Sequence, residues 1–123
     1  MKKILIVDDD KDICEITKKR LTQAGYETMA ALSGQEAISI CQANHPDLVL
    51  LDIAMPDMDG YLACEKIRQD DKTKDIPVLF VTGKGLLPKG IDKHCQDLGA
   101  SGYISKPFQI EELLKKITDI LGT

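Results

Sequence analysis

Ile4-Leu5-Ile6-Val7-Asp8-Asp9-Asp10 sets four apolar residues directly against three carboxylates. A run of four apolar residues lacks both the 3.6-residue period of a surface helix and the alternation of a strand with one wet face. It fits a short strand buried on both sides. The same form returns at Leu48–Leu51, followed by Asp52, and at Val78–Val81, followed by Thr82. Two weaker runs, Tyr26–Ala31 and Tyr103–Ile104, bring the number of expected strands to five.

Helical patterns separate these runs. Ile13, Ile16, Thr17 and Leu21 share a helical face that stops at Gly25. Ser33-Gly34-Gln35-Glu36 has the form of a capping box, and its helix ends before Asn44-His45-Pro46. Further helices are expected over about Tyr61–Arg68, over Ile91–Leu98 with Gly99 as terminator, and through Ile110, Leu113, Leu114, Ile117 and Leu121 to Gly122. Strict alternation of buried strands with helices predicts an α/β fold, a (βα)5 doubly wound sandwich with helices on both faces of a parallel sheet. Gly83–Gly90 holds three glycines and a proline and is expected to be mobile.

The chain has 123 residues, the size of one domain, and is expected to be a single domain over 1–123 with no output domain. Hydrophobic residues at 43% and charged residues at 29% exclude a disordered chain. A net charge of −4 argues against nucleic acid or an anionic membrane as the main partner, since phosphate backbones are met by basic patches. No apolar stretch has the length of a membrane span, and the first apolar run is too short for a signal peptide. Cys14, Cys41, Cys64 and Cys95 form no CxxC pair and have no histidine at zinc-ligand spacing. They read as reduced, mostly buried thiols of a cytoplasmic protein.

In a parallel α/β sheet, ligands bind beyond the carboxyl ends of the strands. Those ends carry Asp8-Asp9-Asp10, Asp52, Thr82 and, after the fifth strand, Lys106. Carboxylates crowded on one rim repel unless a cation joins them, and oxygen-only ligands suit magnesium. Together with a nucleophilic aspartate and a lysine for phosphoryl oxygens, they read as a magnesium-assisted phosphoryl site. Asp10 is expected to cap the first helix instead of serving the site. His45 and His94 have no acid or nucleophile at a suggestive spacing and read as structural or exposed.

Ile4–Asp10, Pro46–Asp52, Met55-Pro56-Asp57-Met58-Asp59-Gly60, Ile76–Thr82 and Gly99–Phe108 together resemble the receiver domains of two-component response regulators, the CheY-like family. The resemblance covers nearly the whole chain. It implies a flavodoxin-like sheet in the order 2-1-3-4-5 and a cis bond between Lys106 and Pro107. It implies that a histidine kinase or histidine phosphotransfer protein gives its phosphoryl group to Asp52. Asp8, Asp9, Asp52 and the backbone carbonyl of Ala54 would bind Mg2+, while Thr82 and Lys106 contact the phosphoryl group. Thr82 and Tyr103 would then switch the face made by the fourth helix, fifth strand and fifth helix toward a downstream protein target. The protein would be a stand-alone phosphoacceptor and not an enzyme, with only self-directed phosphoryl transfer and autodephosphorylation.

Some features depart from the family. The stretch between Thr82 and Gly99 is about two residues longer than usual, Gly83 stands where alanine is commoner, and Ala54 and Lys84 occupy positions that tune phosphate lifetime. Ala54 offers no group to position a hydrolytic water, so a long-lived phosphoryl group is expected. Ile13, Cys14 and Phe108 lie near the rim and are candidate docking residues for a phosphodonor. Two competing readings are disfavoured. A haloacid-dehalogenase-type phosphohydrolase needs an acid where Ala54 stands, and a flavodoxin-like cofactor binder needs a phosphate loop where the three aspartates stand.

Overall fold

The computed structural model describes residues 1–83 and 90–122. Its elements alternate throughout: β1 (Lys3–Val7), α1 (Lys11–Gln23), β2 (Glu27–Ala31), α2 (Gly34–Asn44), β3 (Leu48–Asp52), α3 (Gly60–Gln69), β4 (Val78–Thr82), α4 (Ile91–Leu98), β5 (Gly102–Ser105) and α5 (Ile110–Leu121). The five strands are parallel and lie in the order β2-β1-β3-β4-β5, so the expected flavodoxin-like doubly wound sheet is present. Residues 84–89 of the expected mobile loop, including Lys84, Gly85 and Pro88, lie outside the described residues.

Strand order and handedness together assign the helices to faces. From β1 the chain steps to one edge at β2, then returns past β1 to β3 and continues to β5. With right-handed crossovers, that reversal puts α1 on the opposite face from α2, α3 and α4. The core divides accordingly. Ile4, Ile6, Leu48, Leu50, Leu79 and Val81 pack with Cys14 and Leu21 of α1 and with Leu113 and Ile117 of α5. Leu5, Val7, Val49, Leu51, Val78 and Phe80 pack with α2, α3 and α4. The topological switch therefore falls between β1 and β3, beside Asp8 and Asp52.

β3 and β4 are buried end to end and β1 from Ile4 onward, as their continuous apolar runs predict, whereas the edge strands β2 and β5 are only partly covered. Asp52 and Thr82 belong to their strands, one residue beyond the apolar runs. Several helix ends follow the sequence closely. Ser33 Oγ accepts from Glu36 N at 3.1 Å, and Gly99 and Gly122 end α4 and α5 in the left-handed conformation. The helix expected from Tyr61 starts one residue earlier, at Gly60, because Asp59 caps it by accepting from Leu62 N at 2.9 Å. All four cysteines are free and buried. No helix among the described residues is long and apolar enough to cross a membrane.

Candidate functional site

β1 and β3 are neighbours in register, Val7 beside Leu51, so Asp8 and Asp52 leave the sheet side by side. Their side chains are almost fully covered, at 5% and 8% exposure. Asp9, the next residue after Asp8, is exposed. Carboxylate oxygens of Asp8, Asp9 and Asp52 all lie within 4.8 Å of one another. Asp10 points elsewhere: it caps α1, accepting from Asp12 N at 2.9 Å and Ile13 N at 3.3 Å, as the sequence predicts. Its own N–H donates to Asp8 Oδ1 at 2.9 Å, so one tight turn both starts the helix and aims Asp8.

Lys106 closes the cluster from the other side. Its Nζ donates to Asp8 Oδ2 at 2.6 Å and to Asp52 Oδ2 at 3.4 Å, and its backbone N–H donates to Thr82 O at 2.8 Å. The bond between Lys106 and Pro107 is cis. Burial alone works to lower the Lys106 pKa, but the hydrogen bond to Asp8 and the charges of Asp52 and Asp8 outweigh it and raise the pKa above that of an ordinary lysine. Burial pushes the Asp52 carboxyl above its usual range and the Asp8 charge adds to the push, while Lys106 and the Ala54 N–H, 3.3 Å away, pull partly back.

Three carboxylates against one ammonium leave an excess of negative charge, and every available donor is an oxygen. That set fits a hard divalent cation. Ligands opposite one another across magnesium stand about 4.2 Å apart, so these acids need only a small closure to share one ion.

Thr82 ends β4 with its hydroxyl buried and without a hydrogen-bond partner among the described residues. A buried hydroxyl left unpaired costs about 1–3 kcal/mol, so Thr82 gains from any acceptor brought within its reach. Tyr103 of β5 lies across from Phe80, half-buried on the α4 side of the sheet. The Asp92 carboxylate beside it, with the hydrogen bond they share, raises the Tyr103 pKa.

Sequence reasoning missed two positioning residues. A Cβ at Gly60 would stand 2.4 Å from the Asp52 carbonyl oxygen and 2.8 Å from Ile53 Cα, so only glycine lets α3 start against the end of β3. Arg68 donates to the carbonyls of Leu98, Lys74, Ile76 and Gly99 at 2.7–3.2 Å, fastening the end of α4 to α3. The Asp-Gly pair was visible in the sequence. The arginine's partners at the end of α4, some 30 residues away, left no local signal. Of the candidate docking residues, Cys14 is buried and its Sγ donates to Asp8 O at 3.3 Å, so it offers no surface. Ile13 and Phe108 are half-exposed.

Residues 4–118 match the family model of the response regulator receiver domain. The chain is 37% identical over 121 residues to the DNA-binding dual master transcriptional regulator RpaA of Synechocystis, covering 98% of this chain and 49% of that protein. It spans about half the length of the curated relatives it matches. Among solved structures, chemotaxis protein CheY4 of Vibrio cholerae superposes with a TM-score of 0.90 at 32% identity, covering 98% of this chain and 99% of that one. The receiver domain of sensor histidine kinase PA1611 from Pseudomonas aeruginosa superposes at 0.87 with 26% identity, over 99% and 98% of the two chains, and has a magnesium ion coordinated in its active-site cleft. A five-stranded sheet with acids gathered at its switch point thus meets a family match along nearly its whole length, and the chain belongs to the response-regulator receiver domain family.

Proposed function

We propose that this domain accepts a phosphoryl group on Asp52 from a phosphohistidine of a histidine kinase or histidine phosphotransfer protein. The observation that carries the reading is the cluster of Asp8, Asp9 and Asp52 oxygens within 4.8 Å, bridged by Lys106. An Asp52 carboxylate oxygen forms a bond to phosphorus as the donor's N–P bond breaks, and the imidazole nitrogen keeps the electron pair. Asp8, Asp9, Asp52 and the Ala54 carbonyl would hold Mg2+, which when bound neutralises charge on the phosphoryl oxygens. Lys106, released from Asp52 as that carboxylate is consumed, stays within reach of the new phosphoryl group. Thr82, with its unpaired hydroxyl, is the natural donor to a second phosphoryl oxygen.

The donor docks beside the rim, on the groove of about 300 Å3 lined by Ile16, Arg20, Phe108 and Ile110, where α1 meets α5. Phosphorylation then biases Thr82 and Tyr103 and alters the face made by α4, β5 and α5 toward a downstream protein. A net charge of −4 fits a protein target better than nucleic acid contacted by this domain itself. Four buried free thiols suit a reducing, cytoplasmic setting. The chemistry is that of a phosphoacceptor, with turnover limited to its own acyl phosphate.

Acetyl phosphate with Mg2+ should add one phosphoryl group to the protein by intact mass, and Asp52→Asn should take none. Full labelling of that variant overturns the assignment. Because the carboxylate must be unprotonated to attack, the rate of labelling should fall once pH is low enough to protonate Asp52, and added Mg2+ should move that fall to lower pH.

A further inference from the structure

An aromatic contact away from the acids joins α3 to α4. Gly60 packs against the end of β3, and its N–H donates to Ile53 O at 2.9 Å. The next residue, Tyr61, is therefore held by the strand that carries Asp52. Its ring meets Phe80 of β4 edge-on, with centroids 5.2 Å apart at 83°, and stacks on His94 of α4 at 4.2 Å and 23°. The Tyr61 hydroxyl is buried without a hydrogen-bond partner among the described residues.

The two ends of α4 are held differently. At its C-terminal end Arg68 bonds the carbonyls of Leu98 and Gly99. At its N-terminal end Gly90 provides no side-chain cap, and the hold there is the burial of Ile91 and the hydrogen bond between Asp92 and Tyr103 of β5. Between them the His94 side chain, exposed to solvent elsewhere, reaches α3 through Tyr61.

We propose that the Tyr61–His94 stack is a latch that holds α4 in its resting place, kept shallow by the unpaired Tyr61 hydroxyl, and that phosphorylation of Asp52 is read out by its release. The proposal rests on Asp52 being the phosphoacceptor. Stacked rings attract beyond the area they bury, so the contact favours the resting arrangement. The buried hydroxyl works the other way, because without a partner among the described residues it makes the resting arrangement costlier. The two opposed contributions leave resting and shifted states close in free energy, as a small differential interaction at the phosphoryl site requires. Pinned by Arg68, α4 pivots about its far end. Tyr61 and His94 are positioning residues here and touch no phosphoryl group.

The test is amide hydrogen exchange of α4 in the full chain at constant pH, before and after acetyl phosphate with Mg2+, with intact mass giving phosphoryl stoichiometry in the same samples. In the wild type, α4 should exchange faster once phosphorylated. Tyr61→Phe removes the unpaired hydroxyl, so its unphosphorylated α4 should exchange no faster than the wild type. His94→Ala removes the stack, and its unphosphorylated α4 should already exchange faster. In both variants labelling should be normal, and the phosphorylation-dependent change should shrink by roughly 2–30-fold. A full wild-type change in both variants with normal labelling overturns the latch and leaves Asp52 as phosphoacceptor. Faster resting exchange in Tyr61→Phe also overturns the latch. Absence of labelling in the wild type defeats the Asp52 assignment, and the latch with it.

Discussion

α1 and α4 each follow a strand with a site residue at its end or just past it, yet they begin in different ways. α1 runs for 13 residues from Asp10, whose carboxylate accepts two backbone N–H groups and whose own N–H orients Asp8. α4 runs for 8 residues from Gly90, in the left-handed conformation and with no side-chain cap. At the acid end of the rim every carboxylate oxygen of Asp8 is bonded, whereas at the other end the Thr82 hydroxyl has no partner among the described residues. One domain therefore combines a fixed cradle with a helix that, among the described residues, is fastened to α3 by Arg68 at its far end and to β5 by Asp92 at its uncapped near end. Low local stability is what an element that moves requires, and it is tolerable only where the chemistry does not depend on it.

The sharpest way to break this contrast is to disturb the charge balance at the fixed end. Lys106→Met leaves Asp8 and Asp52 side by side in a buried site, and should lower stability by roughly 3 kcal/mol at neutral pH in denaturant titrations. The sign follows from Asp52. Its pKa is already raised, and losing Lys106 raises it further, so the destabilisation exists above that pKa and fades as pH falls and the acid takes a proton. Added Mg2+ should restore more stability to the variant than to the wild type. A variant as stable as the wild type would mean that charge balance does not hold this end together.

Gly60→Ala should come next. Its Cβ would meet the backbone of Asp52 and Ile53, which has no room to yield, and a loss of about 2 kcal/mol with slower labelling by acetyl phosphate is expected. Gly34→Ala is the control. There the nearest atom is Met58 Sδ at 2.9 Å, the flexible part of a side chain, so the change should be nearly neutral. Equal losses would show that backbone contact at β3 is not what distinguishes the two glycines.

Within the acidic cluster the effects divide by role. Asp9→Ala removes a carboxylate from the shared site and should weaken Mg2+ binding at least about tenfold in a fluorescence or calorimetric titration. Asp10→Ala should bind Mg2+ nearly normally but lose about 1 kcal/mol of stability, because it removes the α1 cap. Similar losses of Mg2+ affinity in both variants would erase the distinction between ligand and cap.

That distinction was legible in the sequence, as was most of the fold, because local rules govern both. Asp10 stands where a helix starts, and Leu48–Leu51 and Val78–Val81 are apolar without a break because both of their faces are covered. β5 was the hardest strand to see, with only Tyr103 and Ile104 to mark it, because an edge strand tolerates Gly102 and Ser105. The controls on α4 were invisible. His94 was expected to be structural or exposed, and although exposed it stacks on Tyr61, 33 positions earlier. Arg68 entered only as the end of the expected third helix, yet it binds four carbonyls, two of them at the end of α4. Contacts across such sequence distances depend on topology, and neither periodicity nor spacing carries them.

The smallest expected effect concerns how long the phosphoryl group lasts. Hydrolysis needs a water held in line with the bond between phosphorus and the Asp52 oxygen. Ala54 is exposed on the rim, two residues from Asp52, and its N–H donates to Asp52 Oδ1 at 3.3 Å, so a longer side chain there stands close to the phosphoryl site. A methyl group neither donates nor accepts, and the water there is positioned by chance. Ala54→Asn supplies a carboxamide that both donates and accepts, and one added hydrogen bond contributes about 1 kcal/mol, or roughly a fivefold rate increase if made only in the transition state. The wild-type acyl phosphate should therefore persist for minutes or more, and the variant should decay about fivefold faster in a stopped time course read by intact mass. The substitution lies at the fixed end of the rim, so α4 exchange in the phosphorylated state should stay at the wild-type level. Decay in the wild type within seconds, or slower decay in Ala54→Asn, would show that water reaches the phosphorus by another route.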